Sequence, residues 1–155
     1  MWRRRNQRGL TLVELIVAFT IMTLLATMAV PLARSKVRRE RERELLYTLR
    51  KIRTAIDKYK DACDFKQIPP GKVDSDYYPE SLEQLVEGVK PMGSPDKKLK
   101  FLRRVPKDPM THSAEWGMRS TRDEPTSTGW GGQNVFDVFT KSTEKAPDGT
   151  PYSEW

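Results

Sequence analysis

Arg8-Gly9-Leu10-Thr11-Leu12-Val13-Glu14-Leu15 opens residues 10–30, the only long apolar run in the 155-residue chain. Of its 21 residues, 16 are apolar, four are Thr and one is Glu14. As a helix rising about 1.5 Å per residue it would be roughly 31 Å long, enough for a hydrocarbon core. A spanning segment must satisfy its own backbone, and no Gly or Pro interrupts the run before Pro31. The threonines are compatible with this, because their hydroxyls can bond back to the preceding turn. Arg3, Arg4, Arg5 and Arg8 lie just upstream, which puts the amino terminus on the cytoplasmic side by the positive-inside rule. The sequence therefore predicts a single-pass membrane helix. The competing reading is a cleaved secretory signal. The run is longer than the roughly 7–15 apolar residues of such signals, and a charged, helix-forming stretch follows it.

Charge and composition narrow the function classes. The chain has 28 Lys+Arg against 21 Asp+Glu, a net charge of +7. Four of those basic residues fall in the first nine, leaving 24 against 21 for the rest. Later charges alternate in sign, as in Arg38-Arg39-Glu40-Arg41-Glu42-Arg43-Glu44. That is a solvated helix face, and it argues against nucleic acid as a partner. The single Cys63 excludes an internal disulfide or a cysteine zinc cage, and the single His112 excludes a multi-histidine metal site. No Gly-rich phosphate loop or dinucleotide fingerprint is present. His112 lies between Thr111 and Ser113 with nothing to fix a nucleophile or acid beside it, so the chain reads as a non-enzyme.

Beyond Pro31, which should kink or loosen the helix, an apolar stripe appears. Leu45, Leu49, Ile52, Ile56, Tyr59 and Cys63 alternate steps of four and three, with Leu46 alongside. Its partner is another helix or a sheet of the same chain, and one short stripe favours the sheet. Cys63 reads as a small buried hydrophobe. Ile68-Pro69-Pro70-Gly71 ends the helix. Ser81 followed by Gln84 is a capping box, opening a short helix with Leu82, Leu85, Val86 and Val89 inward and Gly88 near its end. Val105-Pro106-Lys107-Asp108-Pro109 is a rigid turn. Strands are predicted around Trp116-Gly117-Met118-Arg119 and over residues 134–140, about three in all. The fold class is α+β: a long amino-terminal helix packed on a small antiparallel β-sheet. Residues 10–62 form the helix (10–31 in the membrane, 32–62 amphipathic), and residues 63–155 a small globular domain.

Glu14 is the anomaly. A carboxylate at the centre of a membrane helix costs on the order of 2.5–3.5 kcal/mol, and less near an end. Either it snorkels to the interface or it has a dedicated cationic partner. A cut between Gly9 and Leu10 would create one, an α-amino group charged near neutral pH. Set in one layer with Glu14 of a neighbouring copy, the two charges would offset one another only when helices stack side by side.

The octapeptide resembles the class III signal of type IV pilins and of the pseudopilins of type II secretion. That signal is a basic leader ending in Gly, then an apolar helix with Glu fifth and a proline where Pro31 stands. Most members begin the mature chain with Phe or Met, so Leu10 departs from the pattern. Pro79-Glu80-Ser81-Leu82-Glu83-Gln84-Leu85, Val105-Pro106-Lys107-Asp108-Pro109 and Phe136-Asp137-Val138-Phe139-Thr140 follow in the order seen in major pseudopilins. The disulfide that closes many major pilins has no counterpart, because Cys63 has no partner.

The resemblance implies a leader of residues 1–9 removed after Gly9 by a prepilin peptidase, N-methylation of Leu10, and Glu14 acting in assembly. It implies a homopolymer, a short periplasmic pseudopilus that drives type II protein secretion. Minor pseudopilins, an inner-membrane assembly platform and an ATPase would be its partners. Each subunit would sit first in the bacterial inner membrane, single-pass, with its carboxy-terminal domain in the periplasm. It further implies a calcium ion in the last loop, for which Asp148, Ser153 and Glu154 are oxygen donors of the right kind. Two other readings compete: a type IV pilus subunit for adhesion, motility or DNA uptake, and a monomeric membrane-anchored periplasmic binding protein.

Overall fold

The computed structural model describes residues 11–93 and 97–155, with residues 28–33 described in backbone only. By its contacts the chain divides into two compact units, Met1–Glu40 and Arg41–Trp155. Helix α1, Leu12–Asp64, begins in the first and ends in the second. The expected bounds were 10–62. The helical backbone continues through Pro31, as a single helix over 10–62 requires.

In the first unit Thr11 stands just before α1, and its hydroxyl accepts from the Glu14 amide at 3.3 Å. Thr at this position followed by Glu three residues on has the form of a capping box, and the first turn is where the helix dipole favours a carboxylate. The hydroxyls of Thr20, Thr23 and Thr27 each donate back to a carbonyl one turn earlier, at 2.7 Å. They are thereby satisfied without water, as the sequence predicts. Leu12, Val13, Ile16, Phe19, Met22 and Leu25 are all more than half exposed. Among the described residues no helix is long and apolar enough to cross a membrane. The predicted span, residues 10–30, extends at both ends past the residues whose side chains are described.

The second unit has a core of its own, built on the predicted stripe. Leu45, Leu49, Ile52, Ile56, Tyr59 and Cys63 are each 4% exposed or less. Leu46 is not part of this face; it is exposed. Thr48, Ala55 and Ala62 join the stripe instead, small side chains that let other segments approach the helix closely. Packed against it are Leu82 and Leu85 of α2 (Leu82–Glu87), Leu102, Trp116, Val135, Val138 and Tyr152. Tyr59 meets Phe101 edge to face at 5.3 Å and accepts from the Gln84 amide group at 3.1 Å. Burial, with Cys63 and Glu80 nearby, pushes its phenol up to about 12. Burial likewise pushes the Cys63 thiol up, away from the reactive thiolate.

The capping box forms at α2. Ser81 Oγ accepts from the Gln84 amide at 3.4 Å, and Gln84 Oε1 reaches back to the Glu80 amide at 2.8 Å, one residue earlier than the usual reciprocal bond. At the other end, Gly88 takes φ 78°, a conformation that suits glycine, and its amide donates to the Gln84 carbonyl.

The sheet is smaller than predicted: two strands among the described residues, not about three. Strand β1 (Gly117–Arg119) pairs antiparallel with β2 (Asp137–Phe139), with Gly117 opposite Phe139, Met118 opposite Val138 and Arg119 opposite Asp137. Of residues 134–136, expected in the strand, the Phe136 amide still donates to the Arg119 carbonyl of β1 at 2.8 Å, while Asn134 and Val135 bond elsewhere. The Val135 amide donates to the Pro79 carbonyl at 2.7 Å, and the Asn134 side chain bonds Ser75 and Thr121.

Gly117 has a specific steric reason. A Cβ there would lie 2.3–2.7 Å from the Phe139 ring. Gly117→Ala should therefore destabilise this unit by about 1–3 kcal/mol, as overpacking does. Gly129→Ala, where a Cβ meets nothing closer than 3.8 Å, should be near neutral. Urea midpoints of the two variants test this; equal midpoints would remove the proposed clash.

Candidate functional site

Two places carry the residues that the sequence singles out. The first is the start of α1. Gly9 and Leu10 lie outside the described residues. Glu14 is described: it sits in the first turn of α1, exposed, and is the one ionisable residue between Thr11 and Thr27. Around it the large apolar side chains from Leu12 to Leu25 are uncovered, with only threonines among them as polar groups. Such a surface needs lipid or other helices to cover it.

The second is the carboxy-terminal segment. A bridge between Lys145 and Pro151 closes a turn, with the Ala146 amide on the Thr150 carbonyl at 2.8 Å and the Gly149 amide on the Ala146 carbonyl at 2.9 Å. Asp148 caps that turn: its Oδ1 accepts from the Thr150 amide at 2.9 Å, and this bond holds its carboxyl below the usual range. Tyr152 is fully buried, donates its hydroxyl to Glu42 at 2.6 Å, and stacks edge to face on Trp155 at 4.9 Å.

The three expected calcium donors do not form a cage. Asp148 spends an oxygen on its own turn, and Glu154 is exposed. The Ser153 carbonyl, the kind of oxygen a calcium ion would use, accepts from Arg119 Nη2 at 2.9 Å. Among the described residues no group of three or more His, Cys, Asp and Glu is placed to hold a metal ion. Of the expected donors, Asp148 and the Ser153 carbonyl thus already hold other partners.

What sits there instead was not read from the sequence. Arg53, on α1, grips Asp137 with two bonds, Nε to Oδ1 at 2.6 Å and Nη2 to Oδ2 at 3.3 Å. The same Nη2 reaches the Val138 carbonyl at 3.2 Å and the Trp155 carbonyl at 2.7 Å. Arg119 approaches Asp137 Oδ2 from the other side at 3.4 Å, donates to the Ser127 carbonyl at 2.8 Å, and lies 4.1 Å over the Phe139 ring. Its residue is only 4% exposed. The sequence signal was an acid inside an otherwise apolar strand, Phe136-Asp137-Val138-Phe139, with an arginine on its pairing partner.

His112 is exposed, at φ 59°, with its amide on the Asp108 carbonyl at 2.8 Å. No nucleophile or acid among the described residues bonds its ring. A cleft of about 560 Å³ is lined by Tyr47, Arg50, Lys51, Lys58, Phe101 and Arg103 among others, cations and apolar groups with no acid to serve as a base.

The prokaryotic N-terminal methylation motif matches residues 4–30. Over 153 residues the chain is 29% identical to the type II secretion system core protein G of Klebsiella michiganensis, covering 94% of this chain and 89% of that protein. No solved structure matches the chain significantly. With a methylation motif on its amino-terminal helix and similarity to core protein G running almost end to end, the chain resembles the type IV pilin-like proteins, and the major pseudopilin of type II secretion in particular.

Proposed function

We propose that this chain is a structural subunit, cut between Gly9 and Leu10, N-methylated on Leu10, and polymerised through α1 into a short periplasmic pseudopilus that drives type II secretion. It would wait in the inner membrane, single-pass, with its carboxy-terminal domain in the periplasm. The subunit carries no chemistry of its own: an assembly platform and its ATPase would supply the motion, with minor pseudopilins as further partners. One observation supports this above the rest. The face from Leu12 to Leu25 is apolar and uncovered, and Glu14 is its single charge. A lipid-anchoring helix has no use for that carboxylate at that cost. A helix that must recognise its neighbour does, if the amine of Leu10 is freed to meet it.

The test is the amino-terminal mass of the protein isolated from cells carrying a prepilin peptidase. The expected chain starts at Leu10 with one added methyl group. Gly9→Val should abolish this and leave the full-length precursor in the membrane. A native chain that starts at Met1, or a Gly9→Val chain processed normally, would overturn the reading in favour of an uncut, anchored monomer.

A further inference from the structure

We infer that two arginines, Arg53 and Arg119, do the work of a metal ion in this chain: converging on Asp137, they fasten the carboxy-terminal segment to the core and make the fold independent of calcium. The inference stands apart from the assembly reading, since it concerns the second unit alone.

The geometry is that of a cation site with guanidinium groups as the cations. Asp137 supplies one anion, and main-chain oxygens of Ser153 and Trp155 are drawn in from the tail. The carbonyls of Ser127 and Val138 bring in the loop after β1 and strand β2. One cluster thus ties α1, both strands, the loop after β1 and the last residues of the chain together. A calcium ion joins distant segments in the same way, by collecting oxygens from each. Guanidinium is suited to the task because its donors are fixed in a plane, and it keeps its charge at any pH a protein tolerates.

Charge makes the two solutions mutually exclusive. Two guanidinium ions already converge on the one carboxylate of Asp137. Arg119, buried and offset by a shared acid, two carbonyls and the Phe139 ring, would face any divalent ion placed at the Ser153 carbonyl. Like charges at contact distance repel strongly where water is excluded. The acid that would attract calcium is already occupied.

The full-length chain in detergent micelles provides the test, with calcium itself as the probe. Its melting temperature should be the same in excess EDTA and in millimolar calcium chloride. Asp137→Asn should lower the melting temperature by about 10 °C in both conditions. Arg53 is more than a third exposed in its side chain, so Arg53→Gln should still fold. It should release the tail, raising the rate of chymotryptic cleavage at the otherwise buried Tyr152 roughly tenfold, with no rescue by calcium. The inference fails if EDTA lowers the native melting temperature and calcium restores it. It fails equally if Arg53→Gln leaves both the cleavage rate and the melting temperature at native values.

Discussion

A Glu14→Leu chain should enter the membrane at least as readily as the native one and yet almost fail to form fibres. The substitution removes an insertion cost of up to about 3 kcal/mol. It also removes one partner of the proposed pair with the Leu10 amine of a neighbour. An uncompensated buried charge costs about 3–5 kcal/mol, which is a hundredfold or more in each association step. The two effects have opposite signs, and that makes the result diagnostic. A side chain that merely snorkels would give better insertion and unchanged fibres. A capping role in the first turn, suggested by the Thr11 bond to the Glu14 amide, predicts something else again. The Thr11 hydroxyl remains in place in the variant, so a cap alone would move stability by a few tenths of a kcal/mol and leave assembly intact. Fibre yield, measured against membrane-inserted subunit, separates the three. Native yield with Leu at this position would end the pairing argument, while the mass of the amino terminus would still report the cut independently.

What the sequence made legible followed from periodicity and from local chemistry. The stripe from Leu45 to Cys63 is buried at every position, because a helical repeat of four and three depends only on backbone geometry. The Ser81 cap and the stop at Gly88 are local for the same reason. Leu46 was misassigned because a second apolar residue beside a stripe looks like a wider stripe. It is the small Thr48, Ala55 and Ala62, silent in a hydrophobicity pattern, that face inward. The strands were found but overextended. Residues 134–140 carry strand-forming side chains throughout, but whether a backbone amide pairs with a strand or with the Pro79 carbonyl is settled by segments more than fifty positions away. The same limit hid the arginine cluster, whose members are 84 and 18 residues from Asp137 in the chain. At the amino terminus the motif itself carried the reading, and it depended on three residues, Gly9, Leu10 and Glu14, rather than on folding at all.

The second unit has one more buried polar group that the sequence marked only as a turn, and removing it should be severe. Asp108 is 0% exposed. Its carboxyl accepts from the Met110 amide at 2.8 Å and from the Thr140 hydroxyl, at the end of the segment that carries β2. Its own amide and carbonyl bond Ser113 and His112, so one residue both closes the 108–113 turn and docks it on the core. Asp108→Ala would leave the amide and the hydroxyl buried without that acceptor, at about 1–3 kcal/mol each. We expect a loss of about 2–5 kcal/mol, seen as a lower urea midpoint with an unchanged slope. Asp108→Asn keeps the volume and one acceptor oxygen and should lose less. The informative partner is Thr140→Val. In the Asp108→Ala background it removes a hydroxyl that no longer has an acceptor, so the double variant should be more stable than the two single losses added together. Strict additivity would mean that the two groups do not act as a pair. A loss below about 0.5 kcal/mol for Asp108→Ala would mean that packing around Pro106 and Trp116, not this carboxyl, holds the turn in place.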